Sequence, residues 1–359
     1  MKLKVNTKQL QALVTKAMKC ASCKPGIPIT GMMAIELKDN VLTLTTTDDN
    51  NYLWVKDECK GDNFYVVVNV ELFVKLISKL TSETVTMSVV NDALEIDGNG
   101  HYVIELPYDG EGELVKYPDP RKKMGENVAK TEVSLSTLKM ILATAKASVD
   151  VTKDYYGCYA GYYIGDDCAI TTDSFKMCLI DTKILDTPAL LWASTMELVP
   201  LLSGETVTVY KDDKFILMET PDGEIFAQLM DCIEDYNVEV IKKYTSTEMA
   251  HSCVVQKDEL LQVLDRIALF VTKLDEVGIY LTFGKEELKI TSRQTDGAEA
   301  IAYQEYVDGE EFSCCVNVER LSDLVKSVLS DTVEIFYGNE DIIKIEDGNI
   351  TKALALIED

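Results

Sequence analysis

Two cysteines near the start of the chain have a spacing that supports redox or metal chemistry. Cys20 and Cys23 form a Cys-x-x-Cys motif, which occurs in thiol–disulfide exchange and in zinc sites. The sequence has no second cysteine pair at zinc spacing and only two histidines, His101 and His251. Its ten cysteines are scattered, mostly in apolar or strand-like stretches, so we interpret them as reduced and mostly buried thiols. We predict no metal site and no cofactor.

Adjacent carboxylates are the other candidates for cation chemistry. A divalent ion could bind at Asp48-Asp49, Asp166-Asp167 or Asp212-Asp213. Each pair lies between two strand signals, where aspartate favours turns because its side chain bonds to nearby backbone amides. We therefore interpret the pairs as turns. The sequence shows no Gly-x-x-x-x-Gly-Lys-Ser/Thr phosphate loop and no nucleophile paired with a base, which predicts a binding protein and no enzyme.

Charge is strongly acidic in total but segregated along the chain. The formal net charge of −26 argues against a nucleic-acid partner, because phosphates require positive countercharge. Residues 1–24, however, contain six lysines and no acid, and residues 133–149 contain Lys139 and Lys146 and no acid. Such segments favour a DNA-facing surface, and a solvated face is the alternative interpretation. A second functional hypothesis is an acidic protein that mimics DNA and inhibits DNA-binding enzymes, which the acid-free segments disfavour.

One helix–strand motif occurs three times. Each copy has a helix-period apolar pattern that ends in a polar turn and is followed by an alternating strand pattern. The turns read Ser-Glu-Thr-Val at 82–85, Gly-Glu-Thr-Val at 204–207 and Ser-Asp-Thr-Val at 330–333. A further helix start recurs at Val5–Leu10, Val133–Leu138 and Val255–Leu260. The repeat predicts three similar domains, each with two helices.

Strand signals fill the rest of each copy. Stretches rich in β-branched residues occur at 41–47, 168–172 and 288–292. Polar connectors separate the copies at 116–127 and 242–251. We predict α+β domains at residues 1–118, 129–245 and 249–359. Three such domains packed edge to edge would form an arc, which a symmetric partner would close into a ring.

Short blocks spread over the whole chain match one protein family in order and spacing. The clearest is Lys24-Pro-Gly-Ile-Pro-Ile-Thr-Gly, followed by a strand and Thr-Asp turn at 40–48. The others are Thr172-Asp-Ser-Phe-Lys-Met177, Asp231–Tyr236, Gly278–Leu281 and Phe312–Val318. Together they resemble the bacterial DNA polymerase III beta subunit, the beta sliding clamp. At 172–177 that family has Thr-Asp-Gly-His-Arg-Leu, so the two segments are similar without being identical.

The resemblance implies a fold and a function. The fold is three tandem copies of a DNA-clamp domain, each with two helices and antiparallel sheets, which form a ring as a head-to-tail homodimer. The function is that of a processivity factor, which encircles duplex DNA without reading its sequence and tethers the replicative polymerase. The implied partners are the DNA polymerase III alpha subunit, the clamp loader and other proteins with a clamp-binding motif. No catalytic site is implied.

The resemblance and the charge pattern together assign residues to three surfaces. The DNA-binding candidates are Lys24, which matches a basic position of the family, and Lys8, Lys139 and Lys146 from the acid-free segments. The dimer contact maps to His101 and Val103 on one side and to Phe270 and Val271 on the other. The cleft for partner peptides, between domains 2 and 3, maps to Tyr156, Thr172, Ser174, Phe175, Lys176, Met177, Asn317, Arg320, Leu354 and Leu356.

The chain departs from the family at two places in the cleft. The family usually ends in Met-Pro-x-Arg-Leu, whereas this sequence ends with Leu354, Leu356 and two acids, so we expect the two leucines to supply the apolar contacts. The Asp231–Tyr236 segment lacks the family's Phe-Pro. These departures fit a divergent source such as a phage or a plasmid. The apolar stretches are too short to cross a membrane, and the first residues lack the apolar core of a signal peptide, which predicts a cytoplasmic protein.

Overall fold

The structure, a computed structural model, describes residues 2–150, 157–271, 277–293, 296–306 and 311–358. The chain forms two compact units. The first comprises Met1–Lys139 and Ser194–Leu229, and the second comprises Met140–Ala193 and Met230–Asp359. Because the predicted middle domain contributes to both units, the division into three domains stays a prediction.

In the described residues each α-helix is separated from the next by one to five strands. The helices are α1 Thr7–Ala17, α2 Val70–Lys79, α3 Leu135–Ala145, α4 Ala193–Met196, α5 Val238–Thr245, α6 Lys257–Ile267 and α7 Val318–Lys326. The strands up to residue 181 are β1 Lys2–Asn6, β2 Met32–Lys38, β3 Val41–Thr47, β4 Asn51–Glu58, β5 Phe64–Asn69, β6 Thr84–Val90, β7 Ala93–Asp97, β8 His101–Glu105, β9 Ala129–Ser134, β10 Gly161–Ile164, β11 Cys168–Thr172 and β12 Lys176–Asp181. The later strands are β13 Ala189–Trp192, β14 Thr206–Lys211, β15 Phe215–Thr220, β16 Gly223–Gln228, β17 His251–Gln256, β18 Gly278–Phe283, β19 Glu287–Ser292, β20 Ala298–Ala302, β21 Glu305–Tyr306, β22 Phe312–Asn317, β23 Thr332–Tyr337, β24 Ile342–Asp347 and β25 Ile350–Ala355.

The three predicted helix starts are confirmed, and each helix follows directly on a strand. The pairs are β1 with α1, β9 with α3 and β17 with α6. Asn6 ends β1 and caps α1, because its side chain accepts hydrogen bonds from the backbone N–H groups of Lys8 and Gln9. The apolar stripe of α1, which includes Leu10 and Val14, is buried. Helix formation here follows from a cap and a stripe that the sequence shows.

The second helix of the motif differs in length among the copies. Asn69 caps α2 and Asn317 caps α7 in the same way, and those helices have 10 and 9 residues respectively. The helix at the middle copy, α4, has only 4 residues. Pro200 lies a few residues beyond it, and proline cannot donate the backbone hydrogen bond that a longer helix would need.

Each predicted domain contributes two sets of four antiparallel strands. The first sets follow the same order, β1-β6-β7-β8, β9-β14-β15-β16 and β17-β23-β24-β25. The second sets are β5-β2-β3-β4, β13-β10-β11-β12 and β22-β18-β19-β20. This repetition of strand order supports the three-domain prediction.

Sets from neighbouring predicted domains join into larger sheets inside each unit. In the first unit β4 pairs with β16 to make an eight-stranded sheet. In the second unit β12 pairs with β25, and with β21 added beside β17 the sheet has nine strands. The remaining two sets, β1-β6-β7-β8 and β22-β18-β19-β20, stay as four-stranded sheets.

The two predicted connectors pack against these large sheets. Tyr117 and Met124 of the first connector lie on an aromatic cluster around Tyr52 and Trp54. The second connector is wrong in part, since residues 242–245 belong to α5. Ile241 of that helix is buried in the same cluster as Met177. Helix α5 has only 8 residues, which is too short a span for its apolar positions to show a clear helical period.

Candidate functional site

The predicted cleft segment 172–177 forms a tight turn between β11 and β12. The Thr172 hydroxyl donates to the carbonyl of Lys176 at 2.9 Å, and Asp173 Oδ1 accepts from the backbone N–H of Phe175 and of Lys176 at 3.0 and 2.7 Å. Ser174 has a φ of +74°, a left-handed conformation that short polar residues tolerate better than bulky ones. These bonds fix the direction in which the turn presents Phe175.

Phe175 is the exposed member of this turn and is paired with Arg320. Its side chain is 48% exposed, and the Arg320 guanidinium carbon lies 3.7 Å from the centroid of its ring. Arg320 is in the first turn of α7, where Asn317 Oδ1 accepts from its backbone N–H at 2.9 Å. Asn317 therefore fixes the backbone of Arg320, and the exposed ring of Phe175 packs against its guanidinium.

The end of the chain lies beside the same turn. In the β12–β25 ladder Lys176 is opposite Leu354, and the N–H of Ala355 donates to the carbonyl of Phe175 at 2.9 Å. Leu354 is buried in the core of the second unit, and Leu356 is partly buried against that core. Both leucines thus lie near the 172–177 turn, and their predicted contribution to the apolar contacts of the cleft stays a prediction.

Other predicted cleft residues are buried. Met177 is 8% exposed and packs with Ile241, and Thr172 and Asn317 are also buried. Lys176 is 7% exposed, and its ammonium group forms ion pairs with Asp323 at 3.3 Å and Asp173 at 3.6 Å. These buried side chains lie beneath the site. Phe175 and Arg320 form its surface. Tyr156 lies outside the described residues.

A pocket of about 490 Å³ opens next to the turn. Its walls come from the end of α3, the turn and α7, and its lining side chains are Ala143, Lys146, Ala147, Val149, Asp150, Asp173, Lys176, Asp323, Lys326 and Ser327. Lys146 and Lys326 are exposed. Lys146 is one of the predicted DNA-binding lysines, whereas Lys326, in the last turn of α7, was not among the predicted site residues.

A buried lysine, Lys352, lies close to this pocket, and its burial was not predicted from the sequence. Lys352 is fully buried, and its ammonium group donates to the carbonyl of Thr144 and, at 2.8 Å, to the hydroxyl of Ser327. Burial lowers the pKa of Lys352, because the charged form loses its hydration. The lysine ties the last turn of α3 to the residue that follows α7.

The predicted DNA-binding lysines have different surroundings. Lys8 and Lys24 are exposed in the first unit, and Lys24 donates to the carbonyl of Asp48 at 2.6 Å. Lys139 is partly buried and donates to the carbonyl of Leu202 at 2.9 Å. Lys8 and Lys24 are therefore more accessible to a phosphate group than Lys139 is.

Two of the predicted dimer residues, His101 and Val103, lie on the edge strand of the first four-stranded sheet, and the other two, Phe270 and Val271, follow α6. Val103 is 55% exposed on β8, the edge strand of the first sheet. Its neighbour His101 contacts Asp97 at 2.7 Å, and this contact raises the pKa of His101. Phe270 is half exposed, and its ring lies 3.0 Å from the position a Cβ would take at Gly297, just before β20. Val271 packs partly against the core of its own unit.

The other chemical candidates have structural surroundings. Of the ten cysteines, 8 are buried, which confirms the prediction that most are enclosed, and burial raises the pKa of the Cys20 thiol. Cys23 is exposed. Within the described ranges, no group of three or more His, Cys, Asp and Glu side chains is arranged to hold a metal ion. No described helix is long and apolar enough to span a membrane.

Family models match both ends of the chain. The model of the N-terminal domain of the DNA polymerase III beta subunit matches residues 1–110, and that of the C-terminal domain matches residues 245–356. The chain belongs to the DNA polymerase III beta-subunit family. These matches confirm the predicted family and sliding-clamp function, and they give no support to the DNA-mimic hypothesis. A search of curated proteins found no match.

Solved structures of this family share the fold. The sliding clamp of Bacillus subtilis superimposes with a TM-score of 0.84 at 18% identity, over 100% of this chain and 99% of that one. The beta subunit of Borrelia burgdorferi, solved with a natural product, gives 0.83 at 18% identity over 100% and 99%. The beta subunit of Thermotoga maritima gives 0.80 at 19% identity over 99% of both chains. The predicted α+β clamp fold is thereby confirmed.

Proposed function

We propose that two copies of this beta-subunit relative close head to tail into a ring that encircles duplex DNA and tethers the replicative polymerase. The observation that carries the proposal is the use of strand edges within the repeat. In each large sheet the last strand of a second set, β4 or β12, pairs antiparallel with the last strand of the next domain's first set, β16 or β25. The repeat therefore has one rule for joining domains.

The same rule leaves two edges to be joined between copies. By its place in the repeat, β8 corresponds to β16 and β25, and β20 corresponds to β4 and β12. Within the described strands, β8 pairs only with β7, and β20 pairs only with β19. An open edge exposes unpaired backbone groups that another strand can satisfy. Antiparallel pairing of β8 in one copy with β20 in the other would complete the pattern at both ends.

Exposed apolar side chains near both edges support an interface there. Val103 on β8 is 55% exposed, and Leu269 and Phe270 are 81% and 50% exposed just after α6. Apolar side chains clustered in this way mark association surfaces more often than solvated ones. The four predicted dimer residues are therefore proposed as part of the seam, with Leu269 added.

A ring of this kind needs basic groups inside and a docking surface for partners. We assign the first role to Lys8 and Lys24, which are accessible, and a lesser share to Lys139, which is partly buried, and to Lys146, which is exposed but lines the pocket beside the 172–177 turn. The second role falls to the Phe175–Arg320 surface and the buried residues beneath it. Through that surface we expect the alpha subunit of DNA polymerase III, the clamp loader and other proteins with a short clamp-binding motif to dock in the cytoplasm.

Light scattering tests the ring directly. The parent should have twice the chain mass of 40.0 kDa, and Phe270→Glu should shift it to the single-chain mass, because a charge enclosed in an apolar seam costs several kcal/mol, or about 3–5 when unpaired. Leu329→Glu is the matched control, since Leu329 is 58% exposed and lies between α7 and β23.

Retention on DNA provides the functional half of this test. After loading, the parent should stay longer on a circular plasmid than on the same plasmid linearised, because a ring leaves linear DNA by sliding off an end. A parent that is monomeric at micromolar concentration, or that leaves both DNA forms at the same rate, would refute the ring.

A further inference from the structure

Arg320 has an aromatic platform but forms no ion pair with any described residue. Its guanidinium lies 3.7 Å from the centroid of the Phe175 ring, and the side chain is partly exposed. A guanidinium carries five N–H donors in a planar fork that matches the two oxygens of a carboxylate. Stacking on a ring holds the plane of that fork while leaving its edge available.

Two other arginines show what such a fork binds in this protein. Arg121 lies 4.9 Å from the centroid of the Trp54 ring and donates to Asp119 and to Glu224, both at 2.9 Å. Arg266 forms two bonds to Glu299, at 2.8 and 2.6 Å. Each of these arginines has a carboxylate acceptor in its own unit. Trp54, Arg121 and Glu224 together form the complete version of the arrangement that Phe175 and Arg320 have in part.

Two carboxylates beside the Phe175–Arg320 surface, one in the turn and one on α7, are engaged elsewhere. Asp173 and Asp323 both form ion pairs with the buried Lys176, and Asp173 also accepts the two turn N–H groups. The charge of Lys176 is therefore balanced by two carboxylates and its side chain is buried, so it is poorly placed to bind an acidic group of a partner. On the Phe175 ring itself the positive charge is that of Arg320, whereas the exposed Lys146 and Lys326 line the adjacent pocket.

We propose that Arg320, stacked on Phe175, binds a carboxylate of the partner peptide and so selects motifs with an acidic residue beside their apolar anchors. The proposal rests on the proposed function, because it assumes that partners dock on this surface. Phe175 takes the apolar contact and orients the guanidinium. The guanidinium then forms charge-assisted hydrogen bonds to an aspartate, a glutamate or the terminal carboxylate of the peptide.

A double-mutant cycle with synthetic peptides tests this assignment. The probes are fluorescein-labelled, amidated hexapeptides with a Leu-Phe pair and one aspartate, which is moved through the flanking positions, and the same set with asparagine. Binding is measured by fluorescence anisotropy at about 0.15 M salt, where the Debye length of about 8 Å screens the acidic surface of the chain. The proteins are the parent, Arg320→Gln and the control Arg266→Gln, which removes an arginine that already has its carboxylate.

The parent and Arg266→Gln should bind the best aspartate peptide about tenfold more tightly than its asparagine counterpart, as a hydrogen-bonded charge pair allows. In Arg320→Gln that ratio should fall to about one, while the asparagine peptide keeps its affinity. If the parent binds both sets equally, or if Arg320→Gln keeps the preference, the assignment to Arg320 is overturned and the cleft itself stands. If the parent binds neither set, the proposed cleft fails first.

Discussion

At the scale of single residues, the burial of Lys352 has a consequence for pH dependence. The folded state disfavours its charged form, because burial lowers the pKa of this lysine below the ordinary value of 10.5. Stability linked to Lys352 is therefore smallest where the ammonium is charged in both states. It increases as pH rises from the folded pKa toward 10.5, because in that window the unfolded chain binds the proton and the folded chain does not.

The variant Lys352→Met isolates this effect. Methionine has a similar length and does not titrate, so the difference in unfolding free energy between parent and variant should move in favour of the parent as pH rises from neutral to about 9.5. Urea unfolding at the two pH values measures it, and titratable groups that do not interact with Lys352 cancel between the two proteins. A difference that stays constant with pH would show that the lysine titrates alike in folded and unfolded chains.

The strand signal at 168–172 and the Thr-Asp pair that follows it are typical of a turn at 172–177, but they do not predict the roles of its side chains. Aspartate after threonine, between two strand signals, favours a turn because both side chains can bond to backbone amides, and the structure has those bonds. The burial of Lys176 and the stacking of Arg320 on Phe175 depend on α7, which is more than a hundred residues away in sequence. Neighbouring residues therefore carried no signal for them.

At the scale of elements, the longer helices were easier to predict from the sequence than the short helices α4 and α5. Helices α1, α2, α6 and α7 each combine a polar start with a buried apolar stripe, and both features are local. The shortness of α4 and the existence of α5 were not predicted. Helix α5 has only about two turns and is stabilised by β12 and β25, on which it packs, and its own propensity contributes little.

The predicted cleft contains an exposed residue, Phe175 in the turn, and a buried one, Met177 at the start of β12, which allows a comparison. Phe175→Ala should weaken a Leu-Phe peptide by about tenfold or more, as expected for an aromatic hot spot, with little change in unfolding free energy, because Phe175 is half exposed. Met177→Ala should also abolish or weaken peptide binding while leaving the dimer and its retention on DNA intact. It should in addition cost about 2–3 kcal/mol of stability, since Met177 is 8% exposed.

Anisotropy titrations and urea unfolding of the two variants measure these effects separately. Leu329→Ala is a control with an equally exposed apolar side chain. Should Phe175→Ala and Met177→Ala both bind the peptide as tightly as the parent, the partner site lies elsewhere on the chain.

At the scale of the whole molecule, the repeat was visible in the sequence and the sheet junctions were not. Three copies of a turn motif about 120 residues apart predict three similar folds. Which strand edges then meet is decided by pairings between distant residues, such as β4 with β16, for which alternating strand patterns hold no information. For the same reason, the sequence did not show that the predicted connectors pack on the large sheets.

Charge at this scale makes a final prediction about DNA. If Lys8 and Lys24 contact phosphates, each should add about 0.9 to the slope of log affinity against log salt for double-stranded DNA, because each contact releases condensed counterions. The double variant Lys8→Gln, Lys24→Gln should therefore bind two unrelated duplexes more weakly to the same degree and lose nearly two units of slope. Lys139→Gln should have a smaller effect, since the Lys139 ammonium donates to the carbonyl of Leu202. Lys214→Gln, at an exposed turn of the first unit, is the control that should change nothing. An unchanged slope in the double variant would mean that these two lysines form an ordinary solvated face, and the acid-free start of the chain would then lose its explanation.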